Sequence, residues 1–232
     1  MMTGLDFDWG PLVAWCWENE LALPAGAIER LDRFAKALYE RNQVMNLTRV
    51  PPDEAVVRHF LDSLLVAPVL GLVESLLDIG TGPGFPAWPI ACVMPTVAVT
   101  AVESSNKPLK FLNEHALPNL QVVQARAEEW GLREAFDVVT GRAFAPLAVQ
   151  LEVSAPFCKV GGVVVPFRTA KEVADAGRFP GQELGLVLEK TVELELPGDG
   201  AVRMFPVYRK TKRTHARYPR RWAEIKARPF GT

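Results

Sequence analysis

The stretch "LLDIGTGPGF" at residues 76–85 sets an apolar run against one acid and three alternating glycines. An apolar run that gives way to glycines is the pattern of a buried strand handing over to a helix, with bare backbone left for a ligand to approach. Outward from it, short β-rich runs fall at 75–79, 97–102, 120–124, 136–140 and 161–167, separated by helix-compatible stretches such as "NKPLKFLNEHAL" and "APLAVQLEVSAPFC". Strand and helix in alternation imply right-handed crossovers and a parallel sheet covered on both faces. Two more runs, near 185–195 and 202–209, are joined only by "LPGDGA", whose Gly198, Asp199 and Gly200 make a hairpin turn. The expected fold class is therefore α/β and Rossmann-like, a mostly parallel seven-stranded sheet closed by an antiparallel pair.

Upstream of residue 75 the apolar period is helical. Ile28, Leu31, Phe34, Ala35 and Leu38 share one face over 26–41. "VPPDEAVVRHFLDSLL" predicts a second helix, with Asp53 as its N-cap, an apolar face of Val56, Val57, Phe60, Leu61, Leu64 and Leu65, and Pro68 as its end. The chain then divides into an N-terminal helical cap (1–72), a ligand-binding core (73–210) and a basic C-terminal tail (211–232), all in one compact unit.

A length of 232 residues suits one large α/β domain, and 49% hydrophobic with 23% charged residues matches an ordinary soluble protein. No apolar stretch approaches the roughly 18 residues of a membrane span, and "MMTGLDFDWG" has neither the basic region nor the apolar core of a signal peptide. A cytoplasmic protein without a membrane partner is expected. Cys16, Cys92 and Cys158 are odd in number and set in apolar surroundings, which reads as buried reduced thiols rather than a metal or redox site. The net charge of −1 conceals an asymmetry: ten Lys or Arg and one acid follow residue 200. A basic tail on an acidic body suggests a polyanionic partner, and Tyr208, Tyr218 and Trp222 among the cations suit nucleic acid, since aromatics stack on bases while Arg and Lys neutralise phosphates. A merely solvated tail is the competing reading.

The glycine loop narrows the ligand. A dinucleotide fingerprint needs a glycine where Phe85 stands, and no Lys-Ser/Thr pair follows to make a phosphate-binding P-loop. Gly80, Gly82 and Gly84 are instead preceded by Asp78 and followed by Glu103 at the end of the next strand, where an acid accepts hydrogen bonds from ribose hydroxyls. Asp78 favours a ligand with a cationic amine over one with phosphates. S-adenosyl-L-methionine carries a ribose, an adenine, an amine and a sulfonium, and Ala127 and Glu128 in "ARAEEW" stand where the adenine would be read. Glu128 also suits the ordinary role of an acid at a helix N-terminus.

"NLTRV" (46–50), "RHFLDSLL" (58–65), "LLDIGTGPGFPA" (76–87), "RAEEW" (126–130), "GRAFAPL" (141–147) and "YPRR" (218–221) together resemble the bacterial 16S ribosomal RNA guanine-N7 methyltransferases, the methyltransferase G or glucose-inhibited division protein B family. The resemblance runs from about residue 28 to the tail. It implies a class I S-adenosylmethionine-dependent methyltransferase acting on 16S ribosomal RNA or the small ribosomal subunit; no metal is expected, and a monomer is favoured over an oligomer. On this likeness Gly80, Phe85, Ala127, Glu128 and Arg142 fall on the family's cofactor contacts. Ala87, Arg168, Met204 and Pro206 depart from the family pattern, so differences are expected on the substrate side.

The residues absent from the site agree with N7 as acceptor. An exocyclic amine calls for an Asp/Asn-Pro-Pro-aromatic turn after the fourth strand, where "GRAFAPL" stands, and carbon-5 of a pyrimidine needs a thiolate that this loop lacks. Guanine N7 has a free in-plane lone pair and no proton to lose, so orientation alone suffices. Positioning candidates are Arg58, His59 and Arg142, with Arg58 and Asp62 at a helical i, i+4 spacing that also suits a plain surface ion pair. RNA contacts are expected from Arg58, Lys107, Lys110, Arg168, Arg203, Arg217, Tyr218, Arg220 and Arg221. A methyltransferase for another RNA or small-molecule acceptor, and a non-catalytic RNA-binding protein of the same fold, are the alternatives.

Overall fold

A computed structural model describes residues 5–173 and 179–231. Its single sheet has the strand order β3-β2-β1-β4-β5-β7-β6, built from β1 (Ser75–Ile79), β2 (Ala98–Glu103), β3 (Leu120–Gln124), β4 (Phe136–Arg142), β5 (Cys158–Phe167), β6 (Leu186–Glu195) and β7 (Val202–Lys210). β1 to β5 run parallel, while β7 lies antiparallel to both β5 and β6. The predicted antiparallel closure is therefore present. The order reverses between β1 and β4, and this switch point leaves a crevice beyond the strands' carboxyl ends.

Period-two alternation divides the core. Leu76, Val99, Ala101, Val138 and Val165 face one side, with α1 (Gly10–Glu18), α2 (Ala27–Met45), α5 (Ala87–Val93) and α6 (Asn106–Glu114) covering them. Leu77, Ile79, Val102, Val139 and Val164 face the other. That second face is covered by α7 (Leu147–Ser154), Leu184 and Leu186, and Tyr218, Ile225 and Phe230 from the C-terminal segment, which contains α9 (Trp222–Ala227); the short α8 (Ala170–Val173) comes between these helices in the chain. The basic segment is thus seated on the sheet. Arg133 fastens it further by donating to the carbonyls of Thr214, His215 and Tyr218.

The predicted second helix takes a different form. Pro52–Glu54 makes a 3₁₀ turn and Val56–Leu61 a π-helix, followed by α3 (Asp62–Leu64). Asp53 lies inside the 3₁₀ turn, which begins after Pro51 without a side-chain cap. Pro68 does not end a helix. It occupies the first turn of a further short one, α4 (Ala67–Leu70), where its missing N–H is no loss.

Cys16, Cys92 and Cys158 are free and buried, and burial raises the Cys16 and Cys158 thiols to about 11 and about 12. Among the described residues no helix is long and apolar enough to cross a membrane, and no group of three or more His, Cys, Asp or Glu could hold a metal ion.

Candidate active site

The loop after β1 is bare because its neighbours leave no room. A Cβ on Gly80 would lie 2.6 Å from the Phe144 ring, and one on Gly84 would lie 2.8 Å from Leu112 and 3.1 Å from Trp88; both glycines also have positive φ. Gly82 faces open space, and its N–H donates to Glu103 Oε2 at 3.0 Å. Glu103 Oε1 accepts from the Ser105 N–H at 2.7 Å, so the carboxylate is held at the rim of the crevice with lone pairs to spare. Gly80, Glu103, Ala127, Glu128, Phe144 and Trp222 are among the residues lining a cavity of about 190 Å³. The Glu128 side chain is only 6% exposed there. Strand ends 23 residues apart, at Gly80 and Glu103, are brought together by the parallel pairing of β1 with β2.

Asp78 sits beneath this loop rather than in its cavity. It is fully buried, its Oδ2 accepts from the Ala87 N–H at 3.2 Å, and Oδ1 is left without a well-formed hydrogen bond. Burial raises its carboxyl to about 6 against the opposing pull of Thr81 and the Ala87 N–H. The acid anticipated as a partner for the cofactor amine therefore supports the start of α5, because β1's alternation turns residue 78, like Leu76, toward the face that α5 covers.

Phe85 and Arg142 also stand outside that cavity, on the other side of the β4 loop. Arg142, Arg58, His59, Asp62, Arg168 and Arg203 are among the residues lining a second cavity, of about 310 Å³. Two of these residues rest on buried Phe85: the His59 ring lies parallel to it, with centroids 4.4 Å apart and planes at 8°, and the Arg142 guanidinium lies 5.4 Å from the Phe85 centroid. Buried Asp62 accepts from Arg142 Nη1 at 2.8 Å and from Arg203 Nε at 2.7 Å. The expected Arg58–Asp62 pair does not form. The i→i+5 winding of the π-helix breaks their i, i+4 adjacency, and exposed Arg58 reaches Glu54 at 2.5 Å and Asp199 at 3.3 Å instead.

His59 Nε2 lies 2.6 Å from the Thr48 hydroxyl and Nδ1 3.5 Å from Arg142 Nη2. Burial, then the Arg142 and Arg58 charges, push its pKa down to about 3. The imidazole is neutral. Arg168, 2% exposed, donates to Gln150 and, at 3.2 Å, to Glu172; burial lowers its pKa.

The two cavities meet at three successive residues. Arg142 and Ala143 line one and Phe144 the other, and the chain turns between them through a left-handed Ala143 at φ 54°. Phe144 and Thr48 were missed in the sequence, and Trp222 was read there only as a ring suited to nucleic acid. Phe144 stands in "GRAFAPL", whose place after β4 is a signal, whereas no spacing connects Trp222 to a glycine loop 142 positions earlier.

The expected RNA contacts divide by environment. Lys107, Lys110 and Arg221 are exposed, and Arg217 is exposed while paired to Glu183 at 2.9 Å. Tyr218 is 5% exposed, T-shaped against Phe230, and its hydroxyl donates to Glu183, so it is part of the core and not a stacking platform. Arg220 donates from Nε and Nη2 to both oxygens of the fully buried Glu152. Arg220 is thereby a structural clasp, because Glu152 has no other ion-pair partner among the described residues.

The sequence matches the family described as rRNA small subunit methyltransferase G over residues 27–183, more than half of the chain. It is 37% identical over 216 residues to the ribosomal RNA small subunit methyltransferase G of Caldanaerobacter subterraneus, covering 88% of this chain and 90% of that protein. The chain belongs to this family. The equivalent protein of an Exiguobacterium species is 39% identical over 208 residues, covering 84% of this chain and 87% of that one. Among solved structures, a TehB-like S-adenosylmethionine-dependent methyltransferase from Corynebacterium glutamicum superposes with a TM-score of 0.54 at 16% identity, over 76% of this chain and 99% of that chain. An S-adenosylmethionine-dependent methyltransferase from Aquifex aeolicus gives a TM-score of 0.51 at 16% identity, over 73% and 97%. These likenesses establish the class I methyltransferase fold, and membership in the methyltransferase G family makes the chain an S-adenosylmethionine-dependent enzyme.

Proposed function

We propose that this chain transfers the methyl group of S-adenosylmethionine to N7 of a guanine in 16S ribosomal RNA, in the cytoplasm. The observation that carries the reading is the junction at Arg142, Ala143 and Phe144. It sets an acidic, glycine-floored cavity directly beside one lined by four arginines.

The first cavity fits the cofactor by its donor set. Glu103 would hold the ribose hydroxyls, Ala127 and Glu128 the adenine edge, and the backbone at Gly80 and Gly82 leaves room for the amino-acid end. When bound, the cofactor supplies an electrophilic methyl group on a sulfonium. The second cavity suits an anionic nucleotide: Arg58 is exposed at its mouth for phosphate, and Arg142 and Arg203 are fixed by Asp62 so that their remaining N–H groups are aimed in advance. Its only histidine is neutral and occupied by Thr48 and Arg142, and Asp62 is committed to two arginines. A site so arranged orients an acceptor and removes no proton, which is what a purine N7 requires.

The test is incubation of purified small-subunit RNA and small subunits with methyl-labelled S-adenosylmethionine, followed by digestion to nucleosides. Label in 7-methylguanosine is expected. Label in an N-methylated exocyclic amine or a C-methylated pyrimidine would overturn the reading.

A further inference from the structure

Two aromatic rings from distant parts of the chain meet over the glycine loop. Phe144 follows β4 and Trp222 opens α9, and their centroids are 6.3 Å apart with planes at 50°. Both line the cavity that holds Gly80, Glu103, Ala127 and Glu128. Trp222 packs partly on the core but does not fasten its helix alone. That work is shared by Ile225, which is 0% exposed, by the Arg220–Glu152 clasp just before it, and by the Arg221 N–H, which donates to the Glu224 carboxylate at 3.3 Å. The indole itself remains half-buried, turned to a cavity whose other walls carry two carboxylates and bare backbone.

A half-buried apolar ring, fixed in place before any ligand arrives, offers its open face as a surface that a flat purine can cover at little ordering cost. We propose that Trp222 is a cofactor-contacting residue: its indole packs on the adenosyl group of S-adenosylmethionine, with Phe144 as the companion ring, which makes the C-terminal segment part of the cofactor site. The proposal rests on the reading of this cavity as the S-adenosylmethionine site. It makes the basic segment a contributor to both ligands. Charge alone assigns that segment only to RNA.

The experiment is calorimetric titration of S-adenosylhomocysteine into the full chain and into its Trp222→Ala and Trp222→Phe variants, with thermal melting of each without ligand. Trp222→Ala is expected to weaken binding by about tenfold, in the range that alanine substitution removes from an aromatic–base stack. Trp222→Phe keeps a ring and should restore affinity to within about threefold of the parent, since the face of a smaller ring still covers much of a base. Trp222→Phe should also lose part of the ligand-induced change in tryptophan fluorescence. If Trp222→Ala does not fold, the fluorescence difference between Trp222→Phe and the parent decides. Parent-like affinity in Trp222→Ala, or an unaltered fluorescence change in Trp222→Phe, overturns the proposal while leaving the cofactor reading intact. A folded parent chain that does not bind S-adenosylhomocysteine overturns both.

Discussion

Burial and two neighbouring guanidinium groups keep His59 uncharged, so it serves as a flat, polar-edged support for Phe85 and not as an acid or base near neutrality. The sign of its linkage follows. Its folded pKa of about 3 lies below the ordinary 6.5, so the unfolded chain takes up the proton first as the medium is acidified. The stabilisation is complete above about pH 6.5 and is lost progressively as pH falls toward about 3. In thermal melts, the parent should therefore lose more of its Tm between pH 6.5 and 4 than His59→Gln does; equal slopes would mean that the imidazole is charged or solvated in the fold. A companion expectation concerns rate. With His59 already neutral and N7 carrying no proton, single-turnover methylation should be nearly flat from about pH 6.5 to 9. A tenfold rise per pH unit in that interval would identify an enzymatic base.

At the scale of elements, the strands were legible and the second helix was not. Short β-rich runs placed all seven strands to within a few residues: β1 and β4, buried on both faces, announce themselves by composition, and the edge strand β6 by its polar–apolar alternation. The π-winding of Val56–Leu61 has no such signal. Its residues are those of an ordinary amphipathic helix, and the partners of Asp62 lie 80 and 141 positions away, at Arg142 and Arg203. The C-terminal segment was misjudged for a related reason: its cations were counted, but the carboxylate that receives Arg220 is buried in α7, 68 positions earlier. Removing the two halves of this clasp should not cost the same. Arg220→Ala leaves Glu152 charged and unpaired in the core and should cost about 3–5 kcal/mol in urea unfolding. Glu152→Gln leaves an arginine that already reaches water, and should cost distinctly less. Equal losses would mean that Glu152 is solvated in the folded chain.

For the molecule as a whole, the sheet is covered on one face by α1, α2, α5 and α6 and on the other largely by α7 and the segment that follows the last strand. This explains how much of the site the sequence could show. Gly80, Glu103, Ala127 and Glu128 fall in one cavity because consecutive parallel strands align their ends, a regularity readable from spacing. Trp222 joins them only through the return of the chain over the second face. The same return reduces the cations free to meet a polyanion. Lys212, Arg221, Lys226 and Arg228 are exposed and without an ion pair among the described residues, whereas Lys210 and Arg220 are consumed internally. Replacing those four by alanine should lower the log–log salt dependence of RNA affinity by about 3, at roughly 0.7 per single-strand phosphate contact. An unchanged slope would place the phosphate contacts elsewhere, with Arg58, Lys107 and Lys110 the next to test. The seating of residues 211–231 on a sheet made long before them bears finally on birth order. During synthesis the glycine loop and Glu103 leave the ribosome well ahead of Trp222, so a nascent or prematurely stopped chain presents an unroofed pocket and an uncovered apolar face. If Trp222 packs on the cofactor as proposed, a chain that has not yet folded its C-terminal segment back onto the sheet lacks one wall of that pocket and should hold the cofactor about tenfold less tightly than the finished fold.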